Sequence, residues 1–103
     1  MIVDGASTDG TSDFILENYE KNPRILYQLE ATNSGLDQGY DKSVTLASGR
    51  YCWMLSDDDQ VVPGSVGLVL DLIRSSNHDL LVANSEVWDC DLSRCLLSNQ
   101  LNI

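Results

Sequence analysis

Basic residues are scarce in this 103-residue chain: 6 Lys and Arg stand against 16 Asp and Glu, which gives a net charge of −10. Sequence-independent binding of nucleic acid depends on basic side chains that neutralise phosphates, so we expect no nucleic-acid partner. An anionic membrane surface is disfavoured for the same reason. A phosphorylated ligand would therefore need a metal cation or backbone N–H groups as its source of positive charge.

Cysteine, histidine and long apolar runs are also scarce. Three cysteines without CxxC spacing indicate neither a disulfide framework nor a zinc site, and the single histidine, His78, has no partner at metal-ligand spacing. No apolar run is long enough to span a bilayer and no secretory leader is recognisable, so we expect no transmembrane segment and a cytoplasmic location. With 43% apolar and 21% charged residues, residues 1–103 have the composition of one small globular domain.

Short apolar runs that favour strands alternate with amphipathic stretches that favour helices. The predicted strands are residues 1–4, 25–29, 51–55 and 80–83. The first predicted helix has Thr11 or Ser12 as its cap and ends at Pro23. The second follows an apolar stripe from Leu36 to Ala47 that Gly49 closes, the third has Pro63 in its first turn and Arg74 near its C-terminal end, and a weaker one lies at 91–97. This alternation predicts an α/β fold with a mostly parallel sheet and flanking helices.

Two of the predicted strands end in acidic residues, Asp4 and the run Asp57–Asp59. Ligands of parallel sheets bind outside the carboxyl ends of the strands, so we expect these acids to lie at one edge of the sheet. Adjacent carboxylates repel one another, and oxygen clusters of this kind suit Mg²⁺ or Mn²⁺. The alternative is a solvated loop whose acids cap the helix that starts near Pro63.

Four segments carry a resemblance to a known family. In chain order they are Val3–Thr11, Asn33–Gly35, Ala47–Tyr51, and Leu55–Asp59 with Pro63. Together they resemble the nucleotide-binding half of a family 2 glycosyltransferase of the GT-A fold, which implies a Rossmann-like sheet. The stretch 35–44, followed by 51–53, is similar to the abequosyltransferase-like members that build bacterial surface polysaccharides. The resemblance covers residues 1–76 well and the remainder loosely.

The resemblance implies transfer of a sugar from a nucleotide-diphosphate donor to a glycan or lipid-linked acceptor, with Mn²⁺ or Mg²⁺ as cofactor. The residues that it implies for donor binding are Asp4, Ser7, Asp37, Asp41 and Asp57. It places the principal metal contact at Asp58 and a second at Asp59, with Ser56 where the family usually has a first acid. A cation that bridges the diphosphate would stabilise the charge that develops as the glycosidic bond breaks. The family's catalytic acid has no identifiable match.

Three alternatives stay open at this point. Asp37 and Asp41 stand one helical turn apart, and the helix N-terminus would stabilise both without any role in donor binding. The chain would be a non-catalytic remnant or interaction module if it kept the scaffold without an acceptor half. A receiver-like or phosphatase-like domain would need a nucleophilic aspartate with a lysine or threonine at later strand ends, and no lysine after Lys42 is convincing. The family's earlier central strand is not found in the sequence, so we expect marginal stability and self-association through exposed sheet edges.

Overall fold

The computed structural model describes residues 1–101, which form three α-helices and four short strands. In chain order these elements are β1 (Ile2–Asp4), α1 (Thr11–Tyr19), β2 (Tyr27–Leu29), α2 (Leu36–Leu46), α3 (Ser65–Ser75), β3 (Val87–Trp88) and β4 (Cys95–Leu97). The predicted α/β class is confirmed. The chain divides into two compact units, Met1–Asp59 and a second that starts at Gln60. A single domain over residues 1–103 stays a prediction.

The first unit contains a parallel strand pair. Ile2 lies opposite Tyr27 and Asp4 opposite Leu29, and α2 packs against β1. Parallel strands need a crossover connection, which α1 supplies. The pairing extends one residue beyond β2, because the Glu30 N–H donates to the Asp4 carbonyl oxygen at 2.9 Å. The carboxyl ends of both strands therefore meet at one edge of the sheet.

The starts of α1 and α3 differ from the predicted ones by one or two residues, whereas α2 begins at Leu36 as predicted. Gly10, with φ 90°, is the N-cap of α1. The Asp9 carboxylate replaces the predicted Thr11 or Ser12 cap, because its Oδ1 accepts the Thr11 N–H at 3.1 Å and the Thr11 hydroxyl at 2.6 Å. The α3 helix begins at Ser65 after an N-cap glycine, Gly64, so Pro63 precedes its first turn. In both cases a left-handed glycine sets the direction in which the chain enters the helix.

Two helix ends also differ. The prediction that Gly49 closes α2 is wrong, because Ala47 already has an extended backbone with ψ 135°. The α1 helix ends at Tyr19, well before Pro23, and the Glu20 N–H still bonds to the Leu16 carbonyl oxygen. Proline disfavours helix in the residue before it, so Pro23 sets the latest end of the helix and not the observed one.

Two predicted strands and one predicted helix are wrong. Residues 51–55 and 80–83 belong to neither sheet of the described part of the chain, although both runs are apolar. Strands are held by ladder hydrogen bonds to a neighbour, and apolar content does not supply that neighbour. Residues 91–97 form a loop and β4 in place of a helix. The Asp89 carboxylate accepts the N–H groups of Ser93 at 2.7 Å and Arg94 at 3.2 Å, which closes a hairpin between β3 and β4.

The helices are short. The α1 helix has 9 residues, and α2 and α3 have 11 each. Within residues 1–101, none of them combines the length and the apolar character that crossing a bilayer requires. The cytoplasmic location stays a prediction.

The predicted apolar stripes are largely exposed. Among residues 1–101 no apolar side chain is buried, and Asp4 is the one buried residue. On α3 the predicted positions Val69 and Ile73 are half-buried, whereas Val66 and Leu70 are exposed. Isolated two-stranded sheets are marginal structures, since they bury little apolar surface. Marginal stability and self-association through the sheet edges stay predictions.

Gly35, the N-cap of α2, has φ 89° and ψ 170°, a conformation that side chains strongly disfavour. Gly35→Ala should lower the free energy of unfolding by about 1–3 kcal/mol, because of backbone strain and not crowding: nothing lies within 4 Å of an added Cβ. Gly39→Ala is the matched control, because Gly39 lies inside α2 and also has nothing within 4 Å of an added Cβ. This substitution should raise the free energy of unfolding by about 0.5–1 kcal/mol. Urea denaturation measures both, and equal stabilities of the two variants would contradict the conformation at Gly35.

Candidate functional site

Asp4, the last residue of β1, is buried at the carboxyl edge of the parallel strand pair. Its side chain is 5% exposed. The Ser7 N–H donates to Asp4 Oδ1 at 2.7 Å, and the Tyr27 hydroxyl donates to Oδ2 at 2.6 Å. The structure thus brings together two of the predicted donor-binding residues, Asp4 and Ser7, and adds Tyr27 from β2.

Hydrogen bonding favours the ionised form of this buried carboxylate. The Tyr27 hydroxyl holds the pKa of Asp4 below its ordinary value of 3.8; burial opposes this, and the Ser7 N–H assists it. Burial and the bond to Asp4 raise the pKa of Tyr27, so near neutral pH an ionised carboxylate faces a protonated phenol. Because the pKa of Asp4 is lower in the folded state, its stabilising effect is present above the unfolded pKa and is lost as pH falls through the folded value.

The loops that follow β1 and β2 approach each other at this edge. The Asn33 side-chain Cγ lies 3.7 Å from the position that a Cβ on Gly5 would occupy. Asn33 Oδ1 also accepts the Gly35 N–H at 2.9 Å, which fixes the turn into α2. Ala6 has φ 65°, a left-handed conformation that non-glycine residues adopt rarely. Two of the segments that carry the family resemblance therefore meet at the sheet edge.

A second polar group lies where β2 leads into α2. Lys42 Nζ donates to Glu30 Oε2 at 2.6 Å, and the two side chains of this ion pair are 40% and 20% exposed. The pair lines an open groove of about 440 Å³ together with Asp41, Ser34 and Gln38. Asp41, predicted to contact the donor sugar, thus belongs to a groove of hydrogen-bonding side chains, which is the chemistry that sugar hydroxyls require.

Asp37, one helical turn before Asp41, does not line that groove. It occupies the first turn of α2 and is exposed. A carboxylate there is stabilised by the positive end of the helix dipole, as the alternative interpretation of the Asp37 and Asp41 pair requires. Asp41 thus lines the groove whereas Asp37 does not, and the donor-binding role of each stays a prediction.

The acidic run forms an exposed turn at the end of the first unit. The Ser56 N–H donates to Asp59 Oδ2 at 3.3 Å, while the Ser56 hydroxyl makes only a long contact of 3.5 Å with Asp57 Oδ1. Within residues 1–101, no hydrogen bond or ion pair engages the Asp58 carboxylate. That this turn and Asp4 belong to one site stays a prediction.

The donor atoms of this turn suit one kind of metal site. No three His, Cys, Asp or Glu side chains converge on a metal position in the described part of the chain. Mg²⁺ is commonly held by one or two carboxylates, with substrate phosphates and water as its other ligands. The exposed carboxylates of Asp58 and Asp59 are of the ligand type that Mg²⁺ prefers, and their role as metal ligands stays a prediction.

Three side chains at these positions were not identified from the sequence. Tyr27 lies within the predicted strand 25–29, where a tyrosine is more commonly a packing residue. Glu30 directly follows that strand, and the rule that ligands bind at strand carboxyl ends could have identified it. Lys42 gave no signal, because its partner lies 12 residues away on a different segment.

Comparisons with known proteins point to one family. The model of glycosyl transferase family 2 matches residues 1–100. The abequosyltransferase RfbV of Salmonella typhimurium is 36% identical over 94 residues, which are 88% of this chain and 27% of that protein. The chondroitin synthase of Escherichia coli is 34% identical over 73 residues, which are 71% of this chain and 10% of that protein. No solved structure matches the chain.

The chain thus spans between 10% and 27% of the length of these two relatives. The family match nevertheless extends over almost all of its residues and includes every segment that carries the resemblance. The parallel strand pair with its crossover helix is the Rossmann-like α/β element that the GT-A fold implies. The chain belongs to glycosyl transferase family 2.

Proposed function

We propose that this chain is the donor-binding part of an enzyme that transfers a sugar from a nucleotide-diphosphate donor, with Mn²⁺ or Mg²⁺, to a glycan or lipid-linked acceptor. The biological setting that we propose is bacterial surface polysaccharide synthesis. Family membership supports the reaction class. The two relatives, an abequosyltransferase and a chondroitin synthase, support sugar transfer and polysaccharide synthesis.

The observation that carries the proposal is the ionised Asp4 carboxylate at the carboxyl edge of the parallel pair. Ligands of such sheets bind at this edge. Each oxygen of a carboxylate can accept two hydrogen bonds, and Asp4 uses one on each oxygen for Ser7 and Tyr27. The unused capacity suits a donor group of a nucleobase or a ribose hydroxyl.

In this proposal, each of the remaining site residues contacts a different part of the donor or its metal ion. Asp58 and Asp59 would hold the divalent ion, and Asp57 would lie toward the ribose or the donor sugar. When bound, the ion would supply positive charge that stabilises the leaving diphosphate. Asp41 and the Glu30–Lys42 pair line the groove that receives sugar hydroxyls. Such a division agrees with a chain of net charge −10, which has few cations of its own for phosphate.

Calorimetric titration of the full chain tests the proposal. The ligands are uridine, cytidine, guanosine and thymidine diphosphates, each titrated in Mn²⁺, in Mg²⁺ and in excess chelator. We expect one diphosphate to bind at least about tenfold more tightly with metal than with chelator, which is 1.4 kcal/mol of metal-dependent binding. The matching nucleoside monophosphate is the control ligand, and its binding should depend less on metal because it lacks the bridging diphosphate.

Two results would contradict the proposal in different ways. Binding that is identical with metal and with chelator would remove the cation from the site and leave a donor-binding module. Absence of binding for all four diphosphates would remove the donor site itself. The second result favours the non-catalytic interaction module.

A further inference from the structure

The Asp4–Tyr27 contact joins the two parallel strands diagonally. Asp4 lies opposite Leu29 in the register, and Tyr27 lies two residues before Leu29. Residues two apart on a strand project from the same face of the sheet, so Tyr27 and Asp4 share a face without being direct neighbours. A tyrosine has both the length to span this diagonal and a hydroxyl to donate at its end.

We propose that Tyr27 is a positioning residue for nucleotide binding: its hydroxyl holds the Asp4 carboxylate in the orientation and the charge state that accept a hydrogen bond from the nucleotide. This inference rests on the proposed function, because it assigns to Tyr27 a role that acts through Asp4. The phenol itself need not contact the nucleotide.

The surroundings of Asp4 explain why a hydrogen bond is needed there. Burial raises its pKa, and hydrogen bonds, not a neighbouring cation, lower it. Two acids interact electrostatically with the pair, Asp9 with Asp4 and Asp13 with Tyr27. The α2 helix, which packs against β1, carries Asp37, Asp41 and Lys42, and Lys42 is already paired with Glu30. Removal of the Tyr27 hydroxyl therefore leaves the buried Asp4 carboxylate with acidic neighbours and with Ser7 as its remaining donor.

The Tyr27→Phe substitution should change the pKa of Asp4, and with it the pH dependence of nucleotide binding, in a definite direction. In Tyr27→Phe the aromatic ring remains, but the pKa of Asp4 rises because burial is no longer offset. Asp4 then becomes protonated at a higher pH than in the wild type. Nucleotide binding that needs the ionised form should consequently fail at a higher pH in the variant.

The test is a pH series of calorimetric titrations on the full chain, from about pH 4 to pH 8, with whichever of the four nucleoside diphosphates binds the wild type. Tyr27→Phe should bind about tenfold to hundredfold more weakly at the acidic end, which is the range for loss of a hydrogen bond to a charged group. The loss should shrink as pH rises. Tyr19→Phe is the matched control, because the Tyr19 hydroxyl makes no hydrogen bond within residues 1–101, and it should change affinity less than twofold.

Carbon-13 NMR titration of the Asp4 carboxyl supplies a second readout that does not depend on the variant. In the wild type, the pH midpoint of nucleotide binding should coincide with the measured pKa of Asp4, and Tyr27→Phe should raise both together. If Tyr27→Phe does not fold, a mismatch between these two wild-type values overturns the inference and agreement supports it.

The possible failures are distinguishable. If the wild type binds a nucleoside diphosphate and Tyr27→Phe binds it equally well at every pH, the positioning role is wrong while the donor site stands. If the wild type binds none of the four, the proposed function fails and the role of Tyr27 fails with it.

Discussion

Asp4→Ala should lower the free energy of unfolding by about 2–3 kcal/mol, because it removes two hydrogen bonds to a charged group at the one buried residue of residues 1–101. The side chain joins β1 to both the following loop and β2, so its loss affects the parallel pair as a whole. Urea denaturation at neutral pH, followed by circular dichroism, measures the change.

The pH dependence of stability separates this effect from a general weakening. The wild type should lose stability as pH falls below about 4, since the pKa of Asp4 is lower in the folded state than in the unfolded chain. Asp4→Ala lacks that part of the acid transition. Glu17→Ala, at an exposed position of α1, is the control and should stay within about 0.5 kcal/mol of the wild type. A full-sized acid transition in Asp4→Ala would contradict the assigned role of the carboxylate.

Local signals predicted the parts of the fold that local interactions determine. The three helices and the two parallel strands follow from apolar spacing and turn-forming residues, and the structure places each within a few residues of its predicted position. Their exact ends were harder to predict, because a left-handed glycine or the Asp9 carboxylate, and not the expected cap, sets them. Helix ends depend on single hydrogen bonds, which apolar spacing does not encode.

Pairing between distant segments was not predictable in the same way. Residues 51–55 are the most strand-like run in the sequence, yet neither sheet of the described residues includes them. Whether an apolar run becomes a strand depends on a neighbour elsewhere in the chain. The predicted helix at 91–97 is wrong for a different reason, which is local. There a nearby polar side chain, Asp89, offers the backbone hydrogen bonds that compete with a helix.

In the candidate site, too, contacts between residues close in sequence were predictable and contacts between distant residues were not. Asp4 and Ser7 are three residues apart, so their loop could be recognised as one motif, and the structure joins them by a 2.7 Å hydrogen bond. Tyr27 lies 23 residues from Asp4 and could be connected to it only after the strand register was known. Sequence patterns therefore identified the acid but not the group that keeps it ionised.

Asp58→Asn should abolish the metal-dependent part of nucleoside diphosphate binding, about a hundredfold loss of affinity in Mn²⁺ with little change in excess chelator. In the Ser56–Asp59 turn, the Asp58 carboxylate is the one that no contact within residues 1–101 engages, so it is available to a cation without breaking the turn. Asp59→Asn should cost less, about tenfold, because the Asp59 carboxylate also accepts the Ser56 N–H. Calorimetric titration with and without chelator measures each change.

Charge by itself must be separated from ligation, because any Asp→Asn substitution makes a chain of net charge −10 less negative. Asp71→Asn on α3 is the matched control: it removes the same charge from an exposed side chain whose ion pair with Arg74 is 3.8 Å long. Screened surface charges act weakly, so this control should change affinity less than twofold. An equal loss in Asp58→Asn and Asp71→Asn would assign the effect to overall charge. Undiminished metal dependence in Asp58→Asn, with its loss in Asp59→Asn, would make Asp59 the principal ligand.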